Sequence, residues 1–283
     1  MRTTMTTTWL ITGSSRGFGR ALAEAALERG DHVLATARDP HRLDDLVQRY
    51  GDRARTFALD VTDAAAARAA VQEAVTAFGR LDVVVNNAGY ANSSPIEETP
   101  DDDFRAQVET NFYGVVNVTK AALPVLRAQR SGHFIQFSSI GGRVGGSPGL
   151  AAYQSAKFAV EGFSEVLNNE VKPFGVKVTI VEPGAFRTDW AGSSMHIPQV
   201  GPDYEQTVGA MNYRRAGFDR SAPGDPARAA RVLLDVVTLD DLPLRLLMGE
   251  DALTLADQSS RARAEEAARW RHLTLATAFP PGE

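Results

Sequence analysis

Residues 12–19 read Thr-Gly-Ser-Ser-Arg-Gly-Phe-Gly and lie between a β-rich run and a helical pattern that ends at Arg29. Glycines at such a turn let the backbone approach a pyrophosphate, which then rests on the positive end of the helix. The first gap is wider than in the standard dinucleotide fingerprint, and a glycine-rich turn can also bind nothing. Its position before a helix favours nucleotide binding by Gly13, Ser15, Arg16, Gly17, Phe18 and Gly19.

Outward from this loop, short β-rich runs alternate with longer helical stretches. Helices are predicted at 20–29, 64–78, 101–130 and 151–172, the last one stopped by Pro173. Strands are predicted at 9–12, 32–36, 55–59, 82–85, 133–137, 176–181 and 244–248. The alternation predicts an α/β fold, a Rossmann-type doubly wound sheet of seven parallel strands with helices on both faces.

The organisation predicted is one dinucleotide-binding and catalytic domain over residues 1–283. The stretch from about 185 to 225 is too long for an ordinary α/β connection, so we expect it to form a substrate lid. It is rich in bulky apolar side chains: Phe186, Trp190, Met195, Ile197, Tyr204, Met211, Tyr213 and Phe218. These suit a moderately bulky apolar substrate, although they can equally pack the lid onto the body. A helical tail is predicted at about 251–283.

Composition excludes several classes of protein. The net charge of −5 offers no general attraction for nucleic acids or anionic membranes, and no apolar run is long enough to span a bilayer. The chain has no cysteine, and its polar N-terminus has no signal-peptide pattern, which fits a cytoplasmic protein. The five histidines lack metal-ligand spacing, so no metal site is expected.

The end of the second predicted strand indicates the cofactor. An NAD site places an acid there to bind the ribose 2′-hydroxyl, but this chain has Ala37 followed by Arg38. Arg38 and Arg16 could pair with a 2′-phosphate, which favours NADP(H) over NAD(H). The alternative is that both arginines are merely solvated.

Tyr153 and Lys157 stand four residues apart on a predicted helix, so their side chains share one face. An ammonium in a partly dry cleft favours the tyrosinate, and bringing a hydroxyl of pKa near 10 to neutrality requires about three pKa units, or roughly 4 kcal/mol. Such pairs are common by chance. Here they accompany the glycine loop, Asn86-Asn87-Ala88-Gly89, Ser138-Ser139 and Pro183-Gly184, each at a predicted strand end.

With these motifs in this order, the chain resembles the short-chain dehydrogenase/reductase family over about residues 8–250. The resemblance implies that Tyr153 donates the proton in carbonyl reduction and that Lys157 lowers its pKa and binds the nicotinamide ribose. Ser139 would polarise the carbonyl, and Asn111 would hold a water beside the lysine. The loop before Tyr153 is one residue longer than is common, which leaves Ser138 as a minor candidate for the polarising hydroxyl.

The same resemblance implies further cofactor contacts beside Tyr153 and Lys157. These are Asp60 and Val61 at the adenine, Asn87, Ala88 and Gly89 at the adenosine ribose, and Pro183, Gly184, Phe186 and Thr188 at the nicotinamide end. It also implies a homodimer or homotetramer, paired through the helices at 101–130 and 151–172. The partner expected is a small ketone or secondary alcohol.

Two other functions remain at this stage. One is a catalytically silent NADP(H)-sensing or interaction protein of the same fold, against which the retained Asn111, Ser139, Tyr153 and Lys157 weigh. The other is a dehydratase or epimerase, for which an extended nucleotide-sugar domain is expected and is not seen.

Overall fold

The computed structural model describes residues 6–191, 195–216 and 221–279. Seven strands form one sheet, and every pairing in it is parallel. The strands are β1 (Thr8–Ile11), β2 (His32–Ala37), β3 (Ala54–Ala58), β4 (Val83–Asn86), β5 (Gly132–Phe137), β6 (Val176–Pro183) and β7 (Arg245–Met248). Their order across the sheet is β3-β2-β1-β4-β5-β6-β7, which reverses direction between β1 and β4.

Helices connect the strands. They are α1 (Gly17–Arg29), α2 (Asp44–Tyr50), α3 (Ala64–Phe78), α4 (Asp101–Val108), α5 (Gly114–Gln129), α6 (Ile140–Arg143), α7 (Ala151–Val171), α8 (Ala210–Arg215), α9 (Pro226–Val236), α10 (Glu250–Arg269) and α11 (Arg271–Leu275). Shorter 3₁₀ turns occur at Pro40–Leu43, Gly51–Arg53, Lys172–Phe174, Asp189–Ala191 and Pro202–Tyr204, and π-turns at Glu109–Tyr113 and Glu205–Gly209. No helix within the described ranges is both long and apolar enough to cross a bilayer.

The apolar core lies on both faces of the sheet. All four residues of β1 are buried. Trp9 and Ile11 pack in one apolar cluster with α1 and α9, whereas Leu10 packs in another with α3 and α5. Successive strand residues point to opposite faces, so a continuous apolar run is what a sheet covered on both sides requires.

The predicted fold class is confirmed, since the seven parallel strands and flanking helices are all present. One helix prediction is wrong: residues 101–130 do not form a single regular helix. The turn Glu109–Tyr113 is a π-turn between α4 and α5. Within it, the Asn111 side chain donates a 2.8 Å hydrogen bond to the Gln107 carbonyl, as well as one to the Tyr90 carbonyl. Hydropathy patterns do not reveal a single inserted helical residue.

The loop before Tyr153 and the predicted tail both contain helices. The loop begins with the short helix α6, and the helical tail begins at Glu250, close to the predicted start at about 251. Phe218 of the predicted lid and the last four residues of the tail lie outside the described residues.

His133 on β5 gives the fold a test of pH dependence. Its Nε2 lies 2.9 Å from the Thr179 hydroxyl, which itself donates to the Pro243 carbonyl, and Nδ1 is buried without a partner among the described residues. A proton added at Nδ1 would therefore have no acceptor. Burial accordingly lowers the pKa of His133 to about 3.

We expect His133 to destabilise the native state as the pH falls below the unfolded-state pKa near 6.5, because only the unfolded chain takes up this proton. Between pH 7 and pH 5 the loss in unfolding free energy is about 2 kcal/mol. His133→Gln keeps a donor for Thr179 and cannot titrate, so it should lack this contribution. Denaturant unfolding of both proteins at the two pH values measures the difference, and equal pH dependence would contradict the assignment.

Candidate active site

One cleft lies where the carboxyl ends of β1, β4, β5 and β6 meet, beside the reversal of strand order. Such a switch point is where open α/β sheets bind ligands. The cleft has a volume of about 1470 Å³. Every site residue predicted from the sequence lines it, with the exception of Gly19. The topology therefore brings together side chains from segments that are far apart along the chain.

The glycine loop needs its glycines for two different reasons. Gly13 and Gly17 have φ angles of +67° and +57°, a backbone region that disfavours side chains. Gly19 is buried, and a Cβ atom there would meet the Gly13 carbonyl oxygen and the Asn87 amide. Gly19 therefore packs beneath the loop, and its contact with a cofactor stays a prediction.

Asn87 braces this loop from β4. Its side-chain amide donates to the carbonyls of Thr12 at 2.9 Å and Gly13 at 3.1 Å. In return, the Thr12 hydroxyl accepts from the backbone N–H groups of Asn87 and Ala88. A Cβ on Gly13 would lie 2.9 Å from Ala88 Cα, so the two segments touch through backbone atoms. The predicted ribose contact is thus also a structural contact.

Two guanidiniums lie at the end of the cleft next to β2. Arg16 and Arg38 both line the cleft, and neither forms an ion pair with any other described residue. Ala37 at the end of β2 is buried beside them. Across from this point, backbone and hydroxyl donors of Thr62 and the positive charge of Arg38 lower the pKa of Asp60. This end of the cleft therefore presents two cations and one carboxylate.

Tyr153 and Lys157 lie side by side on α7 and are 7% and 4% exposed. The lysine Nζ donates a 2.8 Å hydrogen bond to the Phe137 carbonyl at the end of β5 and lies 5.7 Å from the tyrosine ring centroid. Burial raises the pKa of Tyr153 to about 12 and lowers the pKa of Lys157 to about 8. The tyrosine hydroxyl is accordingly protonated at neutral pH and can act as a proton donor.

The two serines after β5 have different positions. Ser139 accepts a 3.0 Å hydrogen bond from Gly141 N, which caps α6, and its hydrogen bond with the Tyr153 side chain lowers the pKa of that tyrosine. Ser138 is buried, and its hydroxyl lies 3.5 Å from the Lys157 carbonyl. Ser139 is therefore the hydroxyl that accompanies Tyr153, despite the longer loop.

Asn111 is fully buried, and its side-chain carbonyl has no partner among the described residues. A Cβ atom on Gly89 would lie 2.5 Å from this oxygen and 3.6 Å from Lys157 Nζ. The absent side chain of Gly89 therefore leaves a gap that both polar groups border. Buried carbonyls nearly always have a partner, so this gap suits a hydrogen-bonding group such as water.

Sequence reasoning missed Asp251, at the start of α10. Its Oδ2 accepts a 2.7 Å hydrogen bond from Ala185 N, and a Cβ on Gly184 would clash with the carboxylate. Asp251 thereby fixes the chain just after β6, where the predicted contacts Pro183 and Phe186 line the cleft together with Thr188. The Phe186 ring packs 4.8 Å from that of Phe18, which joins this segment to the glycine loop. Nothing local in the sequence marks Asp251, because its partners are about 66 residues away.

Three of the predicted lid residues pack against Tyr153, whereas another, Tyr213, lies at the surface. Met195, Trp190 and Ile197 pack with Tyr153 in one apolar cluster, in which the Trp190 and Tyr153 ring centroids are 5.3 Å apart. Tyr213 instead is 84% exposed.

The sequence also gave no indication of Arg215, which lines the cleft and donates to the Ser93 and Ser147 hydroxyls and the Pro148 carbonyl.

Together the parallel sheet, its glycine loop and the cleft at the strand ends define a nucleotide-binding oxidoreductase fold. The chain belongs to the short-chain dehydrogenase/reductase family, because the family model described as short chain dehydrogenase matches residues 7–196. The oxidoreductase BOA17 of Botryotinia fuckeliana is 52% identical over 275 residues, which are 97% of this chain and 100% of that protein.

Solved structures agree with this assignment. A short-chain dehydrogenase from Streptomyces avermitilis superposes with a TM-score of 0.90 at 39% identity, covering 97% of this chain and 100% of that one. An alcohol dehydrogenase from Thermococcus sibiricus, complexed with 5-hydroxy-NADP, gives a TM-score of 0.70 at 26% identity and covers 86% of this chain and 96% of that one. Other structures of the fold hold NAD, so the fold alone does not select the cofactor.

We expect Gly89→Ala to lower turnover at least about tenfold, because the new methyl group would displace Asn111 and fill the gap beside Lys157. Gly162→Ala is the matched control, since Gly162 lies on α7 with no atom within 4 Å of an added Cβ. The control should keep full turnover and gain roughly 0.5–1 kcal/mol in unfolding free energy. Steady-state rates and denaturant unfolding measure both, and an active Gly89→Ala variant would show that the gap has no role.

Proposed function

We propose that the chain transfers hydride between NADP(H) and a ketone or secondary alcohol of moderately bulky, apolar character. The observation that carries the proposal is the convergence of the Tyr153 hydroxyl, the Ser139 hydroxyl and the Lys157 ammonium at one end of the cleft. A proton donor, a second hydroxyl for the developing alkoxide and a cation are what carbonyl reduction requires.

Two features of the cleft suit a dinucleotide. The left-handed glycines Gly13 and Gly17 leave the backbone at the start of α1 open to a pyrophosphate, and the unpartnered carbonyl of Asn111 faces the opposite end. Gly13, Ser15, Arg16, Gly17, Phe18 and Gly19 would hold the pyrophosphate, and Arg38, Asp60, Val61, Asn87, Ala88 and Gly89 would hold the adenosine half. Lys157, Pro183, Gly184, Phe186 and Thr188 would hold the nicotinamide half. When bound, the cofactor supplies or accepts the hydride.

Side chains of this protein would transfer the proton that the reaction requires. In reduction Tyr153 gives its proton to the carbonyl oxygen, while Ser139 donates a hydrogen bond to the same oxygen. The Lys157 ammonium stabilises the tyrosinate that remains. Asn111 would hold a water beside Lys157 through its free carbonyl, which connects Tyr153 to solvent. Trp190, whose ring is tilted against that of Tyr153 at a centroid distance of 5.3 Å, would exclude water from the reacting face.

A homodimer or homotetramer is part of the proposal. The region formed by α5, α7 and the π-turn before α5 exposes the apolar side chains Tyr113, Phe158 and Val166. These would be covered by a second copy of the chain. Measurement of the mass in solution by light scattering tests this point.

We expect Tyr153→Phe to lose nearly all turnover while it retains NADPH binding, because the ring still packs against Trp190 but cannot deliver a proton. Tyr213→Phe is the matched control, since Tyr213 is an exposed tyrosine outside the cleft lining. The assay is NADPH absorbance loss with a panel of aromatic and alicyclic ketones. If the Tyr153 variant kept more than about a tenth of the wild-type kcat, a loss under 1.4 kcal/mol, another group would be the acid.

The preference for NADP(H) rests on the two cleft arginines without carboxylate partners among the described residues, and on Ala37 where an NAD site has an acid. Both cations are available for a 2′-phosphate, and Arg38 can bind it in a bidentate manner. A carboxylate in place of Ala37 would repel that phosphate.

We expect Ala37→Asp combined with Arg38→Leu to weaken NADPH binding by about 2 to 4 kcal/mol, through loss of a charge-assisted pair and added repulsion. NADH should bind no worse. Arg42→Leu, a nearby arginine outside the cleft lining, is the control and should change neither. The measurement is kcat/KM for both cofactors at fixed salt, because exposed pairs are screened. Equal use of NADH and NADPH by the wild type would contradict the cofactor assignment.

A further inference from the structure

Five charged side chains form a cluster behind the catalytic residues. Glu161 and Glu165 come from α7, Glu182 from β6, Arg143 from α6 and Arg245 from β7; together they are called the carboxylate–arginine cluster. None of them belongs to the set that contacts cofactor or substrate in the proposed function. Two helices and two strands thus contribute charged side chains to this cluster.

Arg245 lies at the centre of the cluster. Its Nε is 3.1 Å from Glu161 Oε2 and 3.4 Å from Glu182 Oε1, and its second nitrogen pairs with Glu165. Arg143 lies 3.2 Å from Glu182 Oε2. Glu182 is fully buried, whereas the Glu165 side chain is half exposed. Removing one partner of a buried pair leaves an uncompensated charge, so the members depend on one another.

The cluster is connected to the site through the backbone. Arg143 follows Ser139 by four residues, Glu182 directly precedes Pro183, and Glu161 follows Lys157 by one helical turn. Arg263 of α10 also donates to the carbonyl of Arg143. The segments that carry Ser139, Tyr153 and Lys157 are therefore tied to the same set of charges.

Glu161 lies four residues after Lys157 on the same helix, α7. Residues four apart on a helix lie on one face about 5–6 Å apart at Cβ. Lys157 is 4% exposed and Glu161 is 7% exposed, so both charges are held away from bulk water. One carboxylate oxygen of Glu161 pairs with Arg245, and the other, Oε1, is buried without a hydrogen-bond partner among the described residues.

We propose that Glu161 is a positioning residue for Lys157: its carboxylate keeps the Lys157 ammonium protonated inside the dry cleft and so sets the upper pH limit of activity. The inference rests on the proposed function, because it assumes that Lys157 acts in its charged form. Glu161 itself touches neither cofactor nor substrate in this scheme.

Electrostatics supports the geometry. Burial lowers the pKa of Lys157 to about 8, and the carboxylate of Glu161 opposes this effect. The other charges around Glu161 are Arg143, Arg245, Glu165 and Glu182. Burial and the neighbouring Glu161 raise the pKa of Glu182, so loss of Glu161 would favour ionisation of Glu182. That second carboxylate has to be controlled in any test.

The test compares Glu161→Gln with Glu165→Gln. Both variants remove one carboxylate that pairs with Arg245, but only Glu161 acts on Lys157. We expect the alkaline limb of NADPH-dependent ketone reduction, near pH 8 in the wild type, to move down by about one pH unit in Glu161→Gln. In Glu165→Gln it should coincide with the wild type. Coincident limbs in both variants would overturn the proposal.

Two further arms keep the result unambiguous. Glu161→Gln is repeated in a Glu182→Gln background, where the downward shift should persist; a shift that vanishes there assigns the effect to Glu182. If Glu161→Gln does not fold, as judged by thermal unfolding, Glu161→Asp draws the carboxylate back by one methylene. It should move the limb in the same direction by less, and an unmoved limb would overturn the proposal.

A binding measurement separates this inference from the proposed function. The affinity for NADPH is titrated against pH by nicotinamide fluorescence, which requires no turnover. We expect affinity to fall at lower pH in Glu161→Gln than in the wild type, because Lys157 loses its charge sooner. Absence of any ketone reduction by the wild type would refute the proposed function alone, whereas identical binding profiles would refute the role of Glu161.

Discussion

The burial of one ammonium group constrains the whole site. Lys157 Nζ lies at the carboxyl end of β5 and, among the described residues, has a single hydrogen bond, to the Phe137 carbonyl. A charge held so far from water is costly unless polar groups surround it. Several features then have one explanation: the missing side chain at Gly89, the free carbonyl of Asn111, and the carboxylate of Glu161 one turn away. The fold supplies these groups from β5, the π-turn and α7.

Much of this arrangement could be predicted from the sequence, because it depends on local patterns. The alternation of strand and helix patterns predicts the parallel sheet. The spacing of the glycines after β1 predicts the part of the cleft where a nucleotide would bind. The tyrosine and lysine are four residues apart on α7, so their shared face follows from helical periodicity. Polar residues directly after strand ends, such as Asn87 after β4 and Ser139 after β5, converge because parallel strands end at the same side of the sheet.

The remainder could not be predicted, because it depends on contacts between distant segments. Asp251 fixes Ala185 across the end of the sheet, and Arg245 meets Glu161 only because β7 lies beside β6. The π-turn at Asn111 cannot be recognised from the pattern of apolar residues along the helix. Gly19 illustrates the same limit, since the glycine spacing does not show that it packs under Gly13. The spacing of a motif identifies a residue, but it does not show which atoms that residue contacts.

Arg215 attaches α8 to the wall of the cleft. It is 8% exposed and donates its terminal N–H groups to Ser93, Ser147 and Pro148 on that wall and to Asn212 on α8 itself, all of them uncharged acceptors. Because the three bonds to the wall come from one planar group, a substitution of Arg215 would remove all of them at once. Since no carboxylate takes part among them, these bonds are not weakened by salt in the way that exposed ion pairs are. The attachment of α8 thus differs in kind from the proposed pairing of Arg16 and Arg38 with a phosphate, which is expected to weaken as the salt concentration rises.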